Sequence, residues 1–105
     1  MNESYRERVI PNFYGRYLIQ YDGRIYDNKI GNYISSYVSV INEVKYNKVI
    51  LYREGPFKTT KKYLRIDELI ALSYSDLYQK SKMNVIHKDG NTLNDNLINL
   101  EIINK

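Results

Sequence analysis

The chain has no cysteine and no tryptophan, one histidine and two prolines in 105 residues. Without cysteine there can be no disulfide, no thiolate zinc site and no thiol nucleophile. A single histidine likewise excludes any site that needs two imidazoles. No apolar run approaches the roughly 18 residues of a membrane-spanning helix, and the opening "MNESYRERVI" is too polar and too acidic for a signal or transit peptide. The expectation is a soluble, intracellular protein with no membrane partner. Length sets a further bound, since a chain this size closes one modest core, so residues 1–105 are expected to form a single domain.

What is present is tyrosine and positive charge. Hydrophobic residues make up 43% of the chain, enough for a core, and the aromatic share consists of twelve Tyr and two Phe. Tyrosine buries a ring while keeping its hydroxyl wet, which suits half-exposed sheets or a surface that meets a partner. Net charge is +4, with eight Lys/Arg against five Asp/Glu in residues 1–53, six against four in 54–82, and two against three in 83–105. The positive field therefore belongs to the first four-fifths of the chain, a mild match to a polyanionic partner.

Hydrophobic patterning divides the chain in two. From "IPNFYGRYLIQYDGRIYDNKIG" onward, short β-rich runs alternate with turn signals, Asp22-Gly23 being the strongest hairpin signal. An antiparallel meander is expected with strands near 17–21, 24–27, 33–41 and 47–53, and "KKYLRI" adds another after Gly55-Pro56. Tyr17 and Tyr21, an even number apart, are expected on one strand face. "IDELIALSYSDLY" then changes period: Ile66, Leu69, Ile70, Ser73 and Leu77 fall on one helical face, with Asp67 and Glu68 in the first turn where the helix dipole favours them. "NVIH" reads as a strand, "KDGN" as a turn, "TLNDNLINL" as a helical turn or two capped by Thr92 or Asn94, and "LEIIN" as a last strand. The fold class expected is α+β, with a β-rich part over 1–65 and a strand-turn-helix-strand unit over 66–105.

That second part carries a resemblance. "VIHKDGNTLNDNLINLEII" resembles the histidine-centred motif of the HNH homing endonucleases of phage and giant-virus genomes, with His87, Asp89, Gly90, Asn91, Asn94, Asn99, Leu100 and Glu101 on matching positions. The spacing of Asn99-Leu100-Glu101 from His87 and the upstream "YDGRIYD" make the match more specific than the Asp-Gly-Asn turn alone, which is ordinary turn chemistry. "RIDELIALSY" is similar to the helix preceding that motif, and the opening sheet to the module with which such enzymes grip DNA. The resemblance implies a ββα-metal-like unit in which His87 is general base on a water, Asn99 orients the loop, and a divalent Mg²⁺ or Mn²⁺ stabilises the leaving oxygen.

The chain departs from that pattern. The position before the histidine, a metal ligand in the family, is Ile86, and the position of the upstream helix that conventionally holds a histidine is Asp67. "LEIIN" runs into the last residue, Lys105, so the unit is expected to be shortened, without its final helix. Asp89 is then the one candidate metal ligand, and a weak one. The reading is thus a degenerate relative that binds nucleic acid, DNA rather than RNA, without a cofactor and without cutting. Lys58, Lys61, Lys62 and Arg65 in the acid-free run "FKTTKKYLR", together with Arg53, Arg24 and Arg16, are the phosphate-binding candidates. Two alternatives stay open: a metal-dependent nicking enzyme using His87, and a protein-interaction subunit of a ribonucleoprotein or an inhibitor mimicking an HNH domain; a larger nucleoprotein complex is a further candidate partner.

Overall fold

The computed structural model describes residues 6–105, so part of the polar opening stretch read for targeting lies outside the described residues. Four short strands, β1 (Arg8–Val9), β2 (Tyr17–Ile19), β3 (Ile25–Asp27) and β4 (Asn32–Ile34), pair antiparallel in chain order. A second antiparallel sheet follows, again in chain order: β5 (Tyr37–Ile41), β6 (Val44–Glu54) and β7 (Thr59–Arg65). Helix α1 (Ile66–Tyr74) starts directly from β7, and β8 (Met83–His87) pairs with β9 (Leu100–Asn104). The architecture is mostly antiparallel sheet with one short helix, an α+β fold.

The expected single meander is two sheets because the run expected as one strand over 33–41 breaks at Ser35-Ser36. β4 pairs back onto β3 with Ile34 opposite Ile25, whereas β5 pairs forward with Tyr37 opposite Lys48. Two serines in succession offer no ring or branched side chain to either sheet, and the chain changes partner there. The hairpin at Asp22-Gly23 is present, although its loop holds three residues rather than two: Gln20 N–H donates to Arg24 O at 2.9 Å, and Gly23 takes φ +94°. Tyr21 consequently sits in this loop and not on the face of Tyr17.

The core gathers Ile10 and Phe13 from the β1–β2 connection, Tyr17, Ile19 and Ile25 from the first sheet, Val49 and Leu51 from β6, and Ile66, Leu69 and Ile70 from α1. Alternation along β2 and β3 turns Tyr17, Ile19, Ile25 and Asp27 to this core. Tyr17 is buried with its hydroxyl accepting from Tyr52 N–H at 2.9 Å, which ties the two sheets together. Burial of Asp27 is balanced by Arg16, whose guanidinium meets both carboxylate oxygens at 3.0 Å. That bond, followed by weaker contributions from the Lys29 N–H, holds the Asp27 carboxyl below its ordinary range.

Helix α1 ends at Tyr74, short of the expected end near Tyr78. Ser75 leaves helical geometry at φ −125° and ψ 120°, and its hydroxyl accepts from Leu77 N–H, so a serine turn replaces the next helical turn. Leu77 is left exposed.

Candidate functional site

The loop between β8 and β9 is built by its own amide side chains. Gly90 N–H donates to His87 O at 2.9 Å and Gly90 takes φ +75°, which makes the tight turn. Within it Asp89 accepts from Asn91 N–H at 2.8 Å and Asn99 Nδ2 at 2.9 Å on one oxygen, and from Asn94 Nδ2 at 2.9 Å on the other. These bonds, that of Asn94 foremost, hold the Asp89 carboxyl below its ordinary range. Asn99 also accepts from Asp89 N–H and donates to Asn94 O, so its amide pins both ends of the loop. Asn91, Asn94 and Asn96 each accept from the backbone N–H two residues on, a chain of Asx turns that explains the run of asparagines. The last of them caps a single 3-10 turn, Leu97–Asn99, a role expected of Thr92 or Asn94. Thr92 instead donates its hydroxyl to Lys45 O on β6.

His87 ends β8. The inward alternation of that strand carries Met83, Val85 and His87 on one side and puts Ile86 on the other. The imidazole meets two carboxylates that arrive from elsewhere in the chain. Asp95, from the loop, lies 2.9 Å from His87 Nε2, and Asp67, from the first turn of α1, lies 3.8 Å from the same nitrogen. The side chains of Asp67, His87 and Asp95 are 0%, 3% and 5% exposed. Each carboxylate has a further partner: Arg65 bonds both oxygens of Asp67 at 3.0 and 2.5 Å while Glu68 N–H donates to the first, and Asn47 donates to the free oxygen of Asp95 at 2.9 Å.

One donor atom from each of these three residues lies within 4.8 Å of the other two, which makes the trio a candidate three-donor cation site. As it stands the site is closed. Both oxygens of Asp67 are already held by a guanidinium, His87 Nε2 is spent on Asp95, and the three side chains are at most 5% exposed, whereas a catalytic metal keeps an open coordination position. A 170 Å³ cleft reaches Asp95 between Arg24, Asn47 and Leu93, and His87 does not line it. Nor do the positions implied by the family pattern fit a metal: Ile86 has no lone pair to offer, and Asp89 is taken up by three asparagines outside the trio.

Asp95 is the residue that sequence reasoning misses, and Asp67 reads in sequence only as a first-turn acid and as a departure from the motif. Their joint signal is chemical: two carboxylates are the strongest partners a lone buried imidazole can find.

The basic candidates do not form one patch. Arg16 is committed to Asp27 and Glu54, Arg24 to Asp22, and Arg65 to Asp67 and Glu68. Arg53 donates to Asn12 O and lies over the ring of Phe13. Lys61 sits over the ring of Tyr63, whose hydroxyl holds its ammonium and pushes its pKa up. Lys58 and Lys62 take part in no ion pair among the described residues.

No family model matches the sequence, and no curated protein does. Among solved structures, one of DNA binding and cleavage by the HNH homing endonuclease I-HmuI is similar over 93% of this chain, with a TM-score of 0.75 and 23% identity. The chain spans 52% of that protein, about half its length. The fold is therefore HNH-like.

Proposed function

We propose that this protein binds duplex DNA through its HNH-like fold and does not cut it. The observation that carries the reading is the state of His87: a general base must reach a water, and this imidazole is shut in a closed trio with its Nε2 on Asp95. Ile86 on the opposite side of β8 removes the adjacent metal ligand that the family pattern would supply. Residues 1–65 serve as the gripping part and 66–105 as the scaffold of one domain. Support for DNA comes from the similar structure, which is of a protein that binds and cleaves DNA, and from the net charge of +4.

Lys58, Lys61 and Lys62, carried by β7 and the loop before it, supply phosphate contacts in this reading. Fluorescence anisotropy of a labelled duplex, repeated over a salt series, tests it. Binding is expected to weaken steeply with salt, and the triple change of these lysines to alanine is expected to flatten the log–log slope by about 3, since each phosphate contact contributes roughly 0.9. Binding that is undetectable at low salt, or that ignores salt, would reject the reading.

A further inference from the structure

Three turns meet at one end of the molecule. Residues 12–15 join β1 to β2, residues 28–31 join β3 to β4, and residues 55–58 join β6 to β7. Asn28 donates to Gly15 O at 3.0 Å, Arg53 donates to Asn12 O at 2.9 Å, and Glu54 accepts from both Arg16 and Lys29. Each turn displays a large apolar side chain. Phe57 is 98% exposed, Tyr14 81% and Ile30 60%, and the first two are the most exposed large apolar residues among those described. The core explains none of them.

The turns that hold these side chains are fixed. Gly55 N–H donates to Lys58 O at 2.9 Å, closing the tip that carries Phe57, and a Cβ on Gly55 would stand 3.0 Å from that oxygen. Tyr14 sits at φ +55°, a conformation a bulky side chain seldom adopts, held by the Arg16 N–H to Phe13 O bond and the Asn28 bond to Gly15. Strain of this kind persists where the surroundings impose it and collects at working surfaces. The charge around the rings is positive: Glu54 and Asp27 are each taken by Arg16 or Lys29, which leaves Lys58 at the tip and Lys61 and Lys62 along the adjoining strand.

We propose that this end is an aromatic wedge for duplex DNA, with Phe57 entering a base step and Tyr14 packing beside the opened step while the lysines hold the flanking phosphates. Apolar side chains inserted between base steps recur in proteins that kink DNA, and the energy of unstacking is recovered from added contact. A tip that is already rigid loses little further freedom on insertion. The wedge deepens the DNA-binding reading and rests on it.

The chain has no tryptophan, so Phe57→Trp places a single reporter at the tip. Titration with a duplex is expected to quench that emission and shield it from acrylamide, and a 2-aminopurine in the duplex is expected to brighten as its stacking is lost. Phe57→Ala should melt at the parent temperature, lose on the order of ten-fold in duplex affinity, as expected for one stacked ring, and leave 2-aminopurine dark. Duplex binding that neither quenches the indole reporter nor weakens in Phe57→Ala overturns the wedge while leaving the DNA-binding reading intact. No binding to any nucleic acid at low salt overturns both, and a blue shift of the reporter on anionic vesicles without any response to duplex assigns the tip to a membrane surface instead.

Discussion

Asp95 contributes in two directions at once, taking the His87 imidazole on one oxygen and the Asn47 amide on the other. Removing it costs the buried imidazole its 2.9 Å partner and leaves Asn47 only its bond to Leu93 O, so Asp95→Ala is expected to lower unfolding free energy by about 1–3 kcal/mol. Urea denaturation measures this, and a change under about 0.5 kcal/mol would mean that the trio is not a structural unit. Asp27 gives the acid response. Its carboxyl is held below its ordinary value chiefly by Arg16, so its stabilising contribution is present above the ordinary aspartate range, near pH 4, and is lost as pH falls through the depressed folded value. Asp27→Asn should therefore be less stable than the parent at neutral pH, and the difference should shrink as pH falls below about 4. Equal acid limbs in a pH series of melts would contradict that. At this scale the turn chemistry was legible: Asp-Gly-Asn and the spaced asparagines act on residues within a few positions of themselves. The partners of His87 were not, because Asp67 lies twenty residues upstream and only tertiary packing of α1 against β8 brings it in. The same applies to Arg16, whose partners Asp27 and Glu54 lie eleven and thirty-eight residues on, whereas Arg24 and Arg65 are spent on carboxylates two or three residues away that a reading for net charge passes over.

Element boundaries follow local signals more closely than their partners do. The helix was visible from the period of Ile66, Leu69 and Ile70, and its early stop at Ser75 was not, since Leu77 prolongs the apolar period by one turn that a serine turn overrides. The hairpin at Gly23 was visible from Asp-Gly alone. Gly23 also has a packing role invisible in sequence: a Cβ there would stand 3.0 Å from Ile66 Cγ2 at the start of α1. Gly23→Ala thus meets a strained φ of +94° and a crowded neighbour together, and a loss of about 1–2 kcal/mol is expected, measurable by thermal melting. An unchanged melting temperature would show that the loop relaxes at no cost.

For the molecule as a whole, α+β class and the order sheet, helix, strand-turn-strand could be read from periodicity, whereas the division into two antiparallel sheets could not. Strand pairing is non-local: nothing in "NYISSYVSVI" states that Ile34 pairs backward and Tyr37 forward. The HNH-like fold was legible through the residues around His87, and of what sets this chain apart from a working nuclease in the proposed reading, Ile86 was legible as well, whereas the closure of Asp67 and Asp95 on the imidazole is tertiary. The central claim is that this closure leaves a DNA binder that does not cut. Incubation with supercoiled plasmid in Mg²⁺ and in Mn²⁺, beside His87→Asn, with binding followed on the same samples by gel shift, addresses it directly. The account predicts bound, fully supercoiled plasmid in both metals for both proteins. Metal-dependent conversion to nicked circles by the parent that disappears in His87→Asn would contradict it.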